Sequence, residues 1–117
     1  MDNGTEIYKK LIDELVEMSR SCVDADKIRN RETCSKLKNI LLKLTPEDRD
    51  ILADYVLKAY CDGIFNVLDL LEWYACCRNM KITIDGENVP TDKFEGMQND
   101  FIGRRDGWEF PEKEVKI

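Results

Sequence analysis

The sequence predicts a mainly α single domain over residues 1–117: a three-helix bundle with a long third helix, plus a small C-terminal β-hairpin and an irregular wrap. Three observations carry that expectation. Apolar side chains recur at three-to-four spacing through most of residues 5–78. Thr45-Pro46-Glu47-Asp48 is a strong helix start. Beyond Asn79 the period falls to two, and Asp85-Gly86 follows as a turn. A chain of 117 residues buries roughly two-thirds of its surface, which is enough for one core.

The first helix is expected from Thr5 to about Cys22, with Tyr8, Leu11, Leu15, Met18 and Cys22 on its stripe and Asp2 or Thr5 as cap. A polar connection runs from Val23 to about Asn30. Thr33, Leu37, Ile40, Leu41 and Leu44 then place a second helix over Arg31 to Leu44.

Thr45 caps the third helix, Pro46 sits where its missing N–H costs nothing, and Glu47 and Asp48 complement the positive end of the helix dipole. Its apolar rows keep register through Asp62-Gly63, so one helix to about Arg78 is expected, with Gly63 admitting a close neighbour. The alternative is two helices split at Asp62-Gly63. Lys81-Ile82-Thr83-Ile84, Asp85-Gly86 and Val89 form the hairpin. From Thr91 onward Phe94, Met97, Phe101, Ile102, Trp108 and Phe110 are too frequent for a disordered tail. Phe101-Ile102 is expected as a third short strand, Asp106-Gly107 as a turn, and residues 111–117 as a frayed end.

Charge and composition narrow the function classes. The formal net charge is −6, from 18 Lys and Arg against 24 Asp and Glu. It is uneven: Lys27, Arg29, Arg31, Lys36, Lys38 and Lys43 precede an acidic run of Glu47, Asp48, Asp50, Asp54, Asp62, Asp69 and Glu72. An acidic surface repels phosphate backbones and attracts basic proteins, so a basic protein partner is expected and nucleic acid is not. No apolar run approaches the ~20 residues of a membrane span, and the N-terminus lacks the pattern of an export signal, so no membrane partner and a cytoplasmic location are expected.

The chain has no histidine, which removes Ser-His-Asp and Cys-His catalysis. No glycine falls in a phosphate-cradling frame. Cys22, Cys34, Cys61, Cys76 and Cys77 lack C-x-x-C spacing and are read as free thiols, with no zinc. No cofactor and no metal are expected.

The candidate binding residues are Glu47, Asp50 and Asp54 on the acidic face, and Arg104, Arg105 and Trp108 beside a tight turn. Two arginines with an indole can grip a carboxylate or phosphate; the competing role is structural, with one arginine on an acid of helix three and Trp108 plugging the bundle. Asp62, Asp69 and Glu72 lie near one face of a helix and could serve a metal-dependent or anion-binding enzyme together with Arg104 and Arg105. The competing role is a solvated acidic face. Cys76-Cys77, near a helix C-terminus and without a base, is expected to pack in the core.

Thr45-Pro46-Glu47-Asp48-Arg49, then Asp62-Gly63-Ile64-Phe65 leading into Val67-Leu68-x-x-Leu71, and Phe101-Ile102-x-Arg104-Arg105-Asp106-Gly107 before an aromatic-Pro ending together resemble a family of small uncharacterised bacterial proteins. The resemblance covers most of the chain and implies a bacterial cytoplasmic origin without an assigned activity. Here the ending is Trp108-Glu109-Phe110-Pro111, where the family pattern would place Trp directly before Pro.

The functional expectation is a non-catalytic acidic interaction domain, of the immunity or antitoxin-like kind that captures a basic partner by charge complementarity. Beside it stand the small enzyme just described and an obligate homodimer joined through Leu, Trp and Tyr positions of helix three.

Overall fold

The computed structural model describes residues 2–32 and 35–111. In chain order the elements are α1 (Asn3–Ser19), α2 (Val23–Asn30), α3 (Ser35–Leu41), α4 (Pro46–Cys77), β1 (Ile82–Ile84), β2 (Glu87–Val89) and α5 (Met97–Arg105). The protein is mainly helical with a two-stranded antiparallel sheet. The chain divides into two compact units, Glu17–Gly63 and Met1–Val16 with Ile64–Ile117. None of the described helices is long and apolar enough to cross a membrane.

In the Glu17–Gly63 unit, the expected polar connection is itself a helix. The thiol of Cys22, in extended backbone, accepts the Ala25 N–H at 3.4 Å and caps α2. Asp24 and Asp26 in the first turn and Lys27 and Arg29 in the last complement its dipole. Arg31 takes the left-handed conformation at φ 58° and ends α2, which is why the predicted helix over Arg31 to Leu44 is replaced by a shorter one from Ser35. Ala25, Ile28, Leu41 and Ala53 form the core, with Leu37, Leu44, Leu52 and Val56 packed around them.

The start of α4 is as the sequence predicts: Thr45 Oγ1 accepts the Asp48 N–H at 3.1 Å, and Pro46 is the first helical residue. The helix is continuous to Cys77, so Asp62-Gly63 does not split it. No described atom lies within 4 Å of a Cβ built on Gly63, so the close neighbour expected there is not found.

In the other unit Tyr8, Ile12, Val16, Leu68, Val89, Met97 and Phe101 are buried. Asp2 Oδ1 accepts the Thr5 N–H at 2.7 Å and caps α1, which ends at Ser19, short of the predicted Cys22. At the end of α4, Asn79 adopts φ 56°, and the Tyr74 carbonyl accepts both the Arg78 N–H at 2.9 Å and the Met80 N–H at 3.1 Å. The hairpin pairs Ile82 with Val89 and Ile84 with Glu87. Asp85 and Gly86 between them have φ 51° and 77°, the two positive angles of a type I′ turn.

Phe101-Ile102, expected as a strand, belongs to α5. Met97 and Phe101 stand one helical turn apart and are both buried, so the pair satisfies helical spacing, and two adjacent apolar residues gave no information on period. After α5, Gly107 at φ 99° completes the predicted turn and the Trp108 N–H returns to the Gly103 carbonyl at 2.7 Å. The expected frayed end falls on residues 112–117, outside the described residues.

Candidate functional site

A cavity of about 500 Å³ lies between the end of α4 and the hairpin region. Glu72, Ala75 and Cys76 of α4 line it together with Asn79, Lys81, Asn88, Thr91 and Asp92 and an apolar wall of Met80, Ile82, Val89 and Pro90. Polar groups and the apolar wall share this lining in comparable measure.

Glu72 is the half-buried acid of this cavity. Desolvation, then the neighbouring carboxylates of Asp69 and Asp100, push its pKa up from the ordinary carboxylate range. Its carboxylate presses on Gly96: a Cβ there would lie 2.0 Å from Glu72 Oε1. Gly96 also has φ 96°, so both the backbone angle and the available space call for glycine.

Asp100 is fully buried. Its Oδ2 accepts the Tyr8 hydroxyl at 2.5 Å and its Oδ1 the Glu95 N–H at 3.0 Å. Burial raises the Asp100 pKa despite these two donors, and burial together with Asp100 raises that of the Tyr8 phenol, which therefore stays a neutral donor. Sequence reading passed over both residues, since a Tyr on an apolar stripe and an Asp in a polar segment carry no signal of pairing 92 positions apart.

The predicted arginine cluster has a structural task. Arg104 Nε and Nη2 donate to the two carboxylate oxygens of Asp13 at 2.7 and 3.1 Å, and Nη1 donates to the Trp108 carbonyl at 2.9 Å. Its guanidinium also lies 5.1 Å from the centre of the Phe110 ring. The acid it clamps is on α1, where an acid of helix three was expected. Arg105 is half-buried beside it. Trp108 is half-buried and packs edge-on to Phe110 at 5.2 Å and Phe94 at 6.4 Å, in a cluster that Tyr8 joins.

On the acidic side, Glu47, Asp50 and Asp54 are all exposed. Arg29 of α2 pairs with Asp54 and Asp50 at 2.5 and 3.6 Å, so two of the three acids already have a counter-charge. Asp62 holds Lys58 at 2.6 Å, one turn away in the Glu17–Gly63 unit, while Asp69 and Glu72 belong to the other unit. Among the described residues no group of three or more cysteine or carboxylate side chains is arranged to hold a metal ion.

Cys22, Cys61, Cys76 and Cys77 are free thiols, and Cys34 lies outside the described residues. Cys76 and Cys77 are exposed, which corrects their expected place in the core. Trp73 and Tyr74, about one turn earlier on α4, are on the surface too. Val67 and Leu70 are exposed as well, so residues 64–77 present an apolar strip.

No curated protein and no solved structure matches this chain. A model of a family of unknown function, DUF6547, matches residues 1–112. That match takes in the helix starts, the α4 sequence and the Arg104–Gly107 turn, and with nearly the whole chain covered, the protein belongs to the family of unknown function DUF6547.

Proposed function

We propose that the protein is a non-catalytic interaction domain that pairs with a second copy of itself through the apolar strip of α4 in residues 64–77. The observation that carries this reading is the exposure of Val67, Leu70, Trp73 and Tyr74, at 58, 55, 49 and 43%. Scattered apolar residues on a surface need no explanation, but four within eight residues of one helix make a patch. Val67, Leu70 and Tyr74 follow one another at spacings of three and four, the seam along which one helix meets another. A seam of this kind is self-complementary, as a two-fold interface requires.

Charge opposes the same occupant only weakly at this strip. Between Ile64 and Cys77 the only carboxylates are Asp69 and Glu72, so two copies meet there with little like-charge opposition despite the net charge of −6. The acidic face is the weaker docking surface, because Arg29 already compensates Asp50 and Asp54. With roughly half of each side chain exposed, the four residues offer on the order of 400 Å² per copy, below the ~800 Å² per partner of a standard interface. The dimer is therefore expected to be reversible, with Kd in the micromolar range.

Sedimentation equilibrium over a hundredfold concentration range tests this. The native protein should pass from one chain to two, and Leu70→Glu or Trp73→Glu should remain a single chain with unchanged circular dichroism. Reversing Glu47, Asp50 and Asp54 to Lys should leave the association in place. A single-chain mass for the native protein at several hundred micromolar would exclude the proposal.

A further inference from the structure

Glu72 is half-buried on the wall of the cavity, its carboxylate against Gly96, and the carboxylates of Asp69 on its own helix and Asp100 of α5 add to its desolvation in raising its pKa. Among the described residues no ion pair involves it. Lys81 and Asp92, both exposed, lie on the same lining. With Glu72 and Asp92 against Lys81, the ionised lining carries one excess negative charge. A desolvated carboxylate among other acids holds its proton more tightly, and a cation brought against it is what favours its ionised form.

We infer that this cavity binds a small organic cation, an ammonium or guanidinium group on an aliphatic stem, with Glu72 as its counter-charge. The stem has a wall to lie on, since Met80, Ile82, Val89 and Pro90 are apolar and line the same space. The volume of about 500 Å³ lies within the range of small-molecule sites and accepts a chain of several methylenes. Asn79, Asn88 and Thr91 offer amide and hydroxyl oxygens for the remaining N–H donors. A divalent metal fits less well, because it asks for six or more converging oxygens and the described residues bring together no group of three ligands. An inorganic anion would have to approach Glu72 and Asp92 with Lys81 as the only cation of the lining. The cation could be a free amine or the side chain of an arginine or lysine on another protein. Glu72, Ala75 and Cys76 of the lining belong to residues 64–77, as the apolar strip does, but association state and cation-induced shifts are read by different measurements, so either proposal can fail without the other.

Titration followed by two-dimensional NMR tests this with two probes, agmatine as the free cation and a short arginine peptide as the side-chain source. Shifts that saturate at residues 72–92 with agmatine place a small molecule in the cavity, and shifts there with the peptide alone place a protein side chain. Glu72→Gln, which keeps the shape, should weaken binding about tenfold, in line with the loss of a charge-assisted hydrogen bond. Lys81→Ala should strengthen it two- to threefold. Asp54→Asn, remote in charge and already paired, should change nothing. Calorimetry in two buffers of different ionisation enthalpy should show proton release on binding below neutral pH, absent in Glu72→Gln, because the cation favours the ionised carboxylate. Absence of saturable shifts at residues 72–92 with either probe at millimolar concentration, or equal affinity of the native and Glu72→Gln proteins, would overturn the inference.

Discussion

Tyr8→Phe would leave Asp100 Oδ2 buried without its hydroxyl donor, a change that removes one oxygen and alters no packing volume. An unmet buried acceptor costs about 1–3 kcal/mol, so the melting temperature should fall by several degrees, readable by thermal circular dichroism. The same pair sets a pH dependence. Burial raises the Asp100 pKa, and that of Glu72, above the ordinary carboxylate range. A group whose folded pKa is raised holds its proton more tightly in the folded state. Its stabilisation is complete below the unfolded pKa and is lost as pH rises through the folded one. The protein should accordingly melt higher in mildly acidic buffer than at neutral pH, and Asp100→Asn should flatten that dependence. Asp2 acts in the opposite sense: its pKa is lowered by the Thr5 N–H, so its small surface contribution is present above the ordinary carboxylate pKa and is lost as pH falls through the lowered one.

At the scale of single elements, legibility followed the strength of local signals. The start of α4 was readable because Thr45, Pro46, Glu47 and Asp48 each satisfy a separate requirement of a helix N-terminus. Removing the cap with Thr45→Ala should cost about 1 kcal/mol, visible as a lower urea midpoint at unchanged slope. The hairpin was readable because Asp85-Gly86 suits the two positive φ angles of its turn. The helix α2 was missed because only Ala25 and Ile28 are buried on it, too few to mark a stripe, and a cysteine thiol is an uncommon cap. The helix α5 was missed because Phe101-Ile102 was read without Met97, although the turn spacing to Met97 and the basic Arg104 and Arg105 in the last turn were present in the sequence.

For the whole molecule, the candidate cavity was the least legible part. Its walls come from α4, the residues after it, and the segment from the end of β2 onward, and of its lining only Glu72 and Cys76 were weighed from the sequence as chemical groups, each for a different role. Pairings such as Tyr8 with Asp100 or Asp13 with Arg104 depend on tertiary placement that periodicity does not encode. The exposure of Cys76 and Cys77 belongs to this scale too, since a last helical turn can lie under other elements or outside them. In the native protein a maleimide should modify Cys76 and Cys77 promptly and leave buried Cys61 intact until denaturant is added, as peptide mass mapping would record. The Cys77 thiol has its pKa raised by desolvation and by Cys76, so its labelling should continue to accelerate at pH above the ordinary thiol range.

The two clamps between α1 and α5 join residues 92 and 91 positions apart, Tyr8 with Asp100 and Asp13 with Arg104. Ribosomal synthesis therefore delivers α1 long before the partner that satisfies it, and its apolar stripe stays uncovered while most of the remaining chain is made. The Glu17–Gly63 stretch is contiguous and can close its own core in that interval. Closure over so long a loop is slow, so the last step of maturation should be the capture of an early helix by a late one. The nascent chain carries its greatest aggregation hazard until that capture is complete.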